Sequence, residues 1–349
     1  MPKPVLRIPT LAIHLDRQET FSFNKETQLL PIVGLAAAEL NRTSRGLEET
    51  PPDSEADEGK VPNPPLPLKA LTKRHHPHVL DLVAEEAGVD PADIIDFELV
   101  LYDTQRSCLG GINDEFVFSA RLDNLTMSFC SLVGLIDSVS GSGALDEDSS
   151  IRLISLFDHE EIGSLTAQGA DSSLLPSVIR RLSVLPAKST GSGTSSADVS
   201  QSTAYEETLS KSFLISADMA HSVHPNYGAK YESDHRPQMN QGVVIKVNAN
   251  NRYATNSPGI VLLQEIANSA GDGVPLQLFV VRNDSSCGST IGPMLAAALG
   301  ARTLDLGNPQ LSMHSIRETG GAADIGYAIS LFSSFFLNYT KLEEKILVD

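Results

Sequence analysis

Val243-Val244-Ile245-Lys246-Val247-Asn248 is an apolar run of strand length. A helix-length segment follows at residues 259–269, and a second apolar run at 276–282. Strand, helix and strand in that order, with both strands apolar along most of their length, describe a parallel pair covered on both faces. The same alternation extends in both directions. Strands are expected at residues 151–157, 212–217 and 303–306, with a shorter one at Phe116-Val117-Phe118; helices are expected at 125–139, 170–182, 293–299 and 322–339. The fold class is therefore α/β, a largely parallel sheet flanked by helices.

Upstream of this region the pattern changes. Val5-Leu6-Arg7-Ile8-Pro9 and Leu11-Ala12-Ile13-His14-Leu15 read as short strands, so the chain reads as starting in mid-domain. Residues 42–68 carry six acids followed by prolines 62, 64, 65 and 67, with no apolar face to offset the entropy of ordering. A disordered acidic, proline-rich insertion is expected there. A short amphipathic helix follows at 75–88, Pro91-Ala92-Asp93 opens another element, and a strand is expected at 97–102. Composition shifts near residue 104, which divides the chain into a smaller β-rich unit, 1–106, and a larger α/β unit, 107–349. A Ser/Gly/Thr-rich loop at 189–203 is expected to be mobile.

The 349 residues hold 26 Lys+Arg against 44 Asp+Glu, a formal net charge of −18, so nucleic acid and anionic membrane faces are not expected as partners. Three widely spaced cysteines, Cys108, Cys130 and Cys287, make neither a disulfide framework nor a Cys-rich zinc site. No apolar run approaches the length that spans a bilayer, and residues 1–9 resemble neither a signal peptide nor a transit helix. A cytoplasmic address is expected.

In open α/β sheets, ligands gather beyond the carboxyl ends of strands, which directs attention to the polar residues that follow apolar runs. Asp123 follows the Phe116 run, Asp158-His159-Glu160-Glu161 the 151–157 run, Asp218 the 212–217 run, and His314 the 303–306 run. Several carboxylates and an imidazole at one sheet edge repel strongly unless a cation sits among them. Two divalent ions bridged by one carboxylate would resolve the conflict and activate a shared water. Asp123 is the candidate bridge. In the Glu160-Glu161 pair, one carboxylate can bind metal while its neighbour takes the proton of the water.

Taken singly, each of these residues has a commoner structural reading. A strand-end Asp is more often a cap or turn residue, adjacent glutamates more often form a solvated face, and a lone His is more often structural. His75-His76-x-His78 has metal-like spacing but is read as a surface or structural feature. Cys287-Gly288-Ser289-Thr290-Ile291-Gly292-Pro293 lacks the Gly-Lys-Ser/Thr ending of a phosphate cradle and is read as a backbone turn.

Taken in order, Arg121-Leu122-Asp123-Asn124, Asp158 to Ser164, Ser216-Ala217-Asp218-Met219-Ala220-His221-Ser222-Val223-His224-Pro225-Asn226-Tyr227 and Met313-His314-Ser315-Ile316-Arg317-Glu318 resemble the aspartyl aminopeptidase family of co-catalytic zinc exopeptidases. The resemblance runs over nearly the whole chain. It implies a zinc-peptidase fold with a mixed, largely parallel sheet, and a smaller lid and oligomerisation domain at 1–106. It implies two zinc ions per subunit: Asp123 as the bridge, Glu161 and His314 on one ion, Asp218 on the other, and Glu160 as general base. Lys246 would bind the acidic side chain of the substrate's first residue, with Met219 and His221 also contacting substrate. His14 matches a histidine that reaches a neighbouring subunit's active site. The implied partners are peptides with an acidic N-terminal residue and further copies of the chain, in the cytoplasm or, alternatively, a vacuole.

The one His-x-Asp of this chain, His14-Leu15-Asp16, lies at the histidine that the resemblance assigns to the smaller domain; none of the other eight histidines begins the His-x-Asp motif that completes the first zinc site in the family. That site keeps only Asp123 and Asp218, below the three protein ligands usual at a catalytic zinc. Impaired activity is therefore expected of this polypeptide. The alternatives are another dinuclear zinc deacylase or aminopeptidase, or a non-catalytic oligomer subunit.

Overall fold

The computed structural model describes residues 4–15, 22–35, 71–141, 145–146, 148–184 and 203–346. The insertion at 42–68 and the loop at 189–203, Thr203 excepted, lie outside the described residues. The chain divides into two compact units, Met1–Gln105 and Arg106–Asp349.

In the first unit, helices α1 (Leu71–Arg74) and α2 (Pro77–Ala87) precede a 3-10 turn at Pro91–Asp93. His76 caps α2: its Nδ1 accepts from the His78 N–H at 3.3 Å, and Pro77 fills the first turn, where an N–H would have no partner. The spacing His75-His76-x-His78 thus serves a helix start. The strands expected at 5–9, 11–15 and 97–102 are not strands. Arg7 and Ile32 exchange both backbone bonds as an isolated antiparallel bridge, but Pro9, two residues on, has no N–H with which to extend a ladder. Residues 13–15 form a turn, and Leu99 to Tyr102 are exposed with no ladder partner among the described residues.

The second unit holds two sheets. Strands β1 (Cys108–Gly110), β2 (Phe116–Ser119), β4 (Ala220–His221), β8 (Pro309–Leu311) and β9 (Glu318–Gly321) form one, in the order β1-β2-β9-β8-β4, antiparallel except for β8–β4. Strands β3 (Phe213–Ala217), β5 (Val243–Val247), β6 (Leu276–Val280) and β7 (Arg302–Gly307) form the other, in the order β3-β7-β5-β6. Here β3–β7 and β5–β6 are parallel and β5–β7 is antiparallel. The parallel-rich sheet is the one expected from the apolar runs. The mainly antiparallel sheet, built from strands of two to four residues, was not.

Two crossings join the sheets: β3 runs into β4 through Asp218-Met219, and β7 into β8 through Asn308. They lie against each other, with the Asp218 N–H donating to the Leu306 carbonyl at 2.9 Å and the Ala220 N–H to the Asn308 carbonyl at 2.8 Å. A Cβ on Gly307 would fall 1.7 Å from the Asp218 carbonyl oxygen, so only glycine permits this approach.

Helices α3 (Leu122–Val139), α4 (Leu174–Ser183), α5 (Ala204–Lys211), α6 (Ser257–Asn268), α7 (Gly292–Leu299) and α8 (Ala322–Glu343) complete the unit. The core holds Met127 and Cys130 of α3, Leu262, Leu263 and Ile266 of α6, Leu304 and Leu306 of β7, and Ala328, Leu331 and Phe332 of α8. Gly134 lets α3 and α8 close up, since a Cβ there would meet the Phe332 Cβ at 2.6 Å. The opposite face of α3 carries exposed Leu125, Phe129, Leu132, Ile136 and Val139. The helix is therefore apolar on both faces, a pattern ordinarily found where both are covered.

Residues 151–157 correct another expectation. The segment is rich in strand-forming residues, yet it has no ladder partner among the described residues, and Ile151, Leu153 and Leu156 are exposed. A strand is defined by its neighbour, which β-branched composition alone does not supply.

Candidate metal centre

β2 ends at Ser119, and the chain turns through Arg121, whose φ of 60° is left-handed, into Asp123 and the start of α3. The Asp123–Asn124 peptide bond is cis. Two hydrogen bonds fix this corner. The Asp123 N–H donates to Glu318 Oε2 at 2.9 Å, and Asn124 Nδ2 donates to the carbonyl of Ala217, the last residue of β3, at 2.8 Å. Glu160 and Glu161 lie on a 3-10 turn, Glu160–Ile162, bounded by His159 (φ 64°) and Gly163 (φ 111°). Asp218 follows β3 directly. His314 lies on the turn between β8 and β9 with φ 64°, and its N–H donates to Glu318 Oε1 at 2.8 Å.

His314 Nε2 stands 3.2 Å from Asp123 Oδ2 and 3.0 Å from Glu161 Oε1. These three residues are the only group of three metal-ligating side chains among the described residues with donor atoms all within 4.8 Å of one another. The Asp123 side chain is 6% exposed, whereas those of Glu161 and His314 are each 61% exposed. The site thus has a buried anionic floor and an open mouth. One imidazole nitrogen and two carboxylate oxygens are a zinc donor set, and the two spacings from Nε2 are close to the edge, about 3.3 Å, of a tetrahedron with bonds of about 2.0–2.1 Å. The residues present fit the ion.

The electrostatics point the same way. Burial, then the charge of Asp218 and its hydrogen bond, then Glu161 and Glu160, push the Asp123 carboxyl far above the usual carboxylate range. Glu160 is raised to about 7 by burial, then by Asp218 and Glu161, partly offset by Lys246. Crowded carboxylates that resist ionisation are the condition a divalent cation relieves.

Asp218 lies beside Asp123 but outside the three-residue group. Its Oδ2 is 3.0 Å from Lys246 Nζ, and its Oδ1 is buried without a hydrogen-bond partner. Lys246, 2% exposed near the end of β5, also has its ammonium 5.5 Å from the centre of the Tyr253 ring. The ring of His221 stands edge-on to Phe279, and desolvation followed by the Lys246 charge holds it below the usual imidazole range. Met219 is 2% exposed and belongs to the core with Leu122 and Leu306. His14 lies on an exposed turn of the first unit.

Three residues here were not singled out from the sequence. Glu318 was quoted only as the end of a motif. Asp305, fully buried in β7, accepts from Thr290 Oγ1 at 2.6 Å and from the Ala254 N–H at 2.6 Å. Tyr253 accepts from Cys287 Sγ at 3.2 Å. A lone acid inside an apolar strand was the available signal for Asp305. The Cys287–Pro293 loop is anchored to that acid through Thr290, which accounts for its conformation without a phosphate.

A family model described as aminopeptidase I zinc metalloprotease, M18, matches residues 1–336. The chain belongs to the M18 family. It is 67% identical to an aspartyl aminopeptidase of Aspergillus oryzae, covering 99% of this chain and 69% of that protein. It is 53% identical to aspartyl aminopeptidase 4 of Saccharomyces cerevisiae, covering 99% and 67%. Among solved M18 relatives, the cryo-electron-microscopy structure of the Ape4 and Nbr1 complex matches with a TM-score of 0.84 and 48% identity, over all of this chain and 61% of that one. The S. cerevisiae mApe1 dodecamer matches with a TM-score of 0.67 and 35% identity, over 79% and 58%. The chain thus spans roughly three fifths to two thirds of the length of these M18 proteins.

Proposed function

We propose that this chain carries the metal-binding and acid–base residues of an aminopeptidase that removes N-terminal Asp or Glu from peptides. The observation that carries the reading is the convergence of His314 Nε2 on Asp123 and Glu161 from three separate elements, at 3.2 and 3.0 Å. Asp123, Glu161 and His314 would hold one zinc; Asp123 and Asp218 would contribute to a second. A bound zinc supplies Lewis acidity and lowers the pKa of water toward neutrality. Glu160, half-buried beside the cluster, takes a proton at its carboxylate and returns it to the leaving amine. The acidic substrate preference rests on the names of the relatives and on Lys246, a buried ammonium paired with Asp218 in this structure, to which a substrate carboxylate would add a second counter-charge. In this reading the chain is a cytoplasmic homo-oligomer, in keeping with the dodecameric relative. No helix among the described residues is long and apolar enough to cross a membrane.

The test is metal analysis of the purified chain together with fluorogenic aspartyl and alanyl substrates. With two ligands at the second position against three at the first, one tightly held zinc per chain is expected, with weak turnover restricted to acidic substrates. Absence of tight zinc binding would overturn the reading. Lys246→Ala is expected to cost about 100-fold or more in kcat/KM on the aspartyl substrate and to leave the alanyl rate near its starting value, because a site built for a charged group rejects most strongly when that pairing is lost. An unchanged ratio of the two rates would remove Lys246 from specificity and leave it as the counter-ion of Asp218.

A further inference from the structure

We infer that Glu318 is a positioning residue that sets the separation of the two metal-binding loops; the inference rests on the metal reading above. Each oxygen of its carboxylate is committed to a different loop. Oε2 accepts from the Asp123 N–H at 2.9 Å and Oε1 from the His314 N–H at 2.8 Å. Asp123 lies 195 residues away in sequence and His314 four, so one rigid planar group spans the two residues whose side chains meet at 3.2 Å. Glu318 is 2% exposed, and the partners of its two oxygens are these backbone amides. Burying a carboxylate without a counter-ion is costly, and the two amide hydrogen bonds are its compensation.

Its own place is fixed by the sheet. Glu318 begins β9 directly opposite Ser119 at the end of β2, at the point where the chain leaves for Asp123. Arg121 and His314 both hold left-handed backbone, which is strained for a residue other than glycine. Loops bent in this way need an outside tether, and Glu318 provides it for both. A glutamine of the same shape would satisfy one amide with its carbonyl oxygen and turn its NH2 group against the other, releasing one loop.

The experiment is zinc titration of the wild-type chain and Glu318→Gln by chelator competition, alongside thermal unfolding of the metal-free proteins and the visible absorption of the Co2+-loaded forms. Loss of outer support typically weakens metal binding by about 10–100-fold, and E318Q is expected to fall in that range with an altered cobalt spectrum. The metal-free Tm should move by no more than about 4 °C, the effect of one lost hydrogen bond. Should E318Q not fold, Glu318→Asp, which keeps the charge but reaches one amide only, carries the same expectation. Wild type that takes up no zinc overturns the metal reading and this inference with it. Wild type that binds zinc while the variant binds within twofold, or a variant that loses metal-free Tm with affinity unchanged, overturns the inference alone.

Discussion

Asp123→Asn is expected to lower zinc affinity and aminopeptidase turnover by at least about 100-fold, the upper end of what removing a mere supporting partner costs, while making the metal-free protein more stable at neutral pH. The two halves of this result share one cause. Asp123 is the least exposed of the three clustered ligands, and Asp218, Glu161 and Glu160 all raise its pKa once burial has done so. In the absence of metal its negative charge is a liability; in the presence of metal it is the floor of the site. Asparagine keeps the shape, and its backbone N–H keeps the bond to Glu318.

The pH dependence follows with a definite sign. A carboxyl whose folded pKa lies above its unfolded value binds more protons in the folded state, so its contribution is complete at low pH and is lost as pH rises through the folded pKa. Metal-free wild type should therefore lose stability from the ordinary carboxylate range upward into the alkaline range, and D123N should lose less. Zinc reverses the trend, because the ligands must be deprotonated to bind and affinity rises with pH. Thermal unfolding at several pH values, with chelator and with zinc, reads both slopes. Parallel pH profiles for wild type and variant without metal would show that Asp123 does not bear the strain assigned to it.

The strand–helix alternation from 212 to 339 was legible because those apolar runs bury both faces, and burial on that scale imposes a strong local pattern. The acids at strand ends were legible only as a set: singly each is more often a cap or turn residue, and their recurrence after successive apolar runs is what pointed to a shared cation. Local pattern carries no such information about pairing. Residues 151–157 and 97–102 have strand composition but no ladder partner among the described residues, and Pro9 stops the Arg7–Ile32 bridge from growing. The antiparallel sheet escaped notice because strands as short as Ala220–His221 leave no periodicity to detect. Lys246 was read as facing substrate, and its ion pair with Asp218 depends on β5 and β3 lying on either side of β7. Glu318 is the extreme case, since its role depends on an amide 195 residues away.

Glu160→Gln separates chemistry from binding in a way that no ligand substitution can. The variant is expected to keep its zinc content and its KM while kcat falls by about 10²–10⁴-fold, the range for loss of a general acid–base group. Metal content should survive because Glu160 is not one of the three clustered ligands, although it sits next to Glu161 on the same 3-10 turn. Without metal its pKa is raised to about 7, by burial first and then by the Asp218 and Glu161 charges. A divalent ion offsets those two carboxylates, so the acid limb of kcat/KM in the wild type should lie at or below about 7, with activity rising as Glu160 ionises. Glutamine has no proton to lose, and the residual activity of the variant should lack that limb. Retention of the limb in E160Q would assign it to another group, and a parallel loss of zinc would move Glu160 from proton transfer to metal binding.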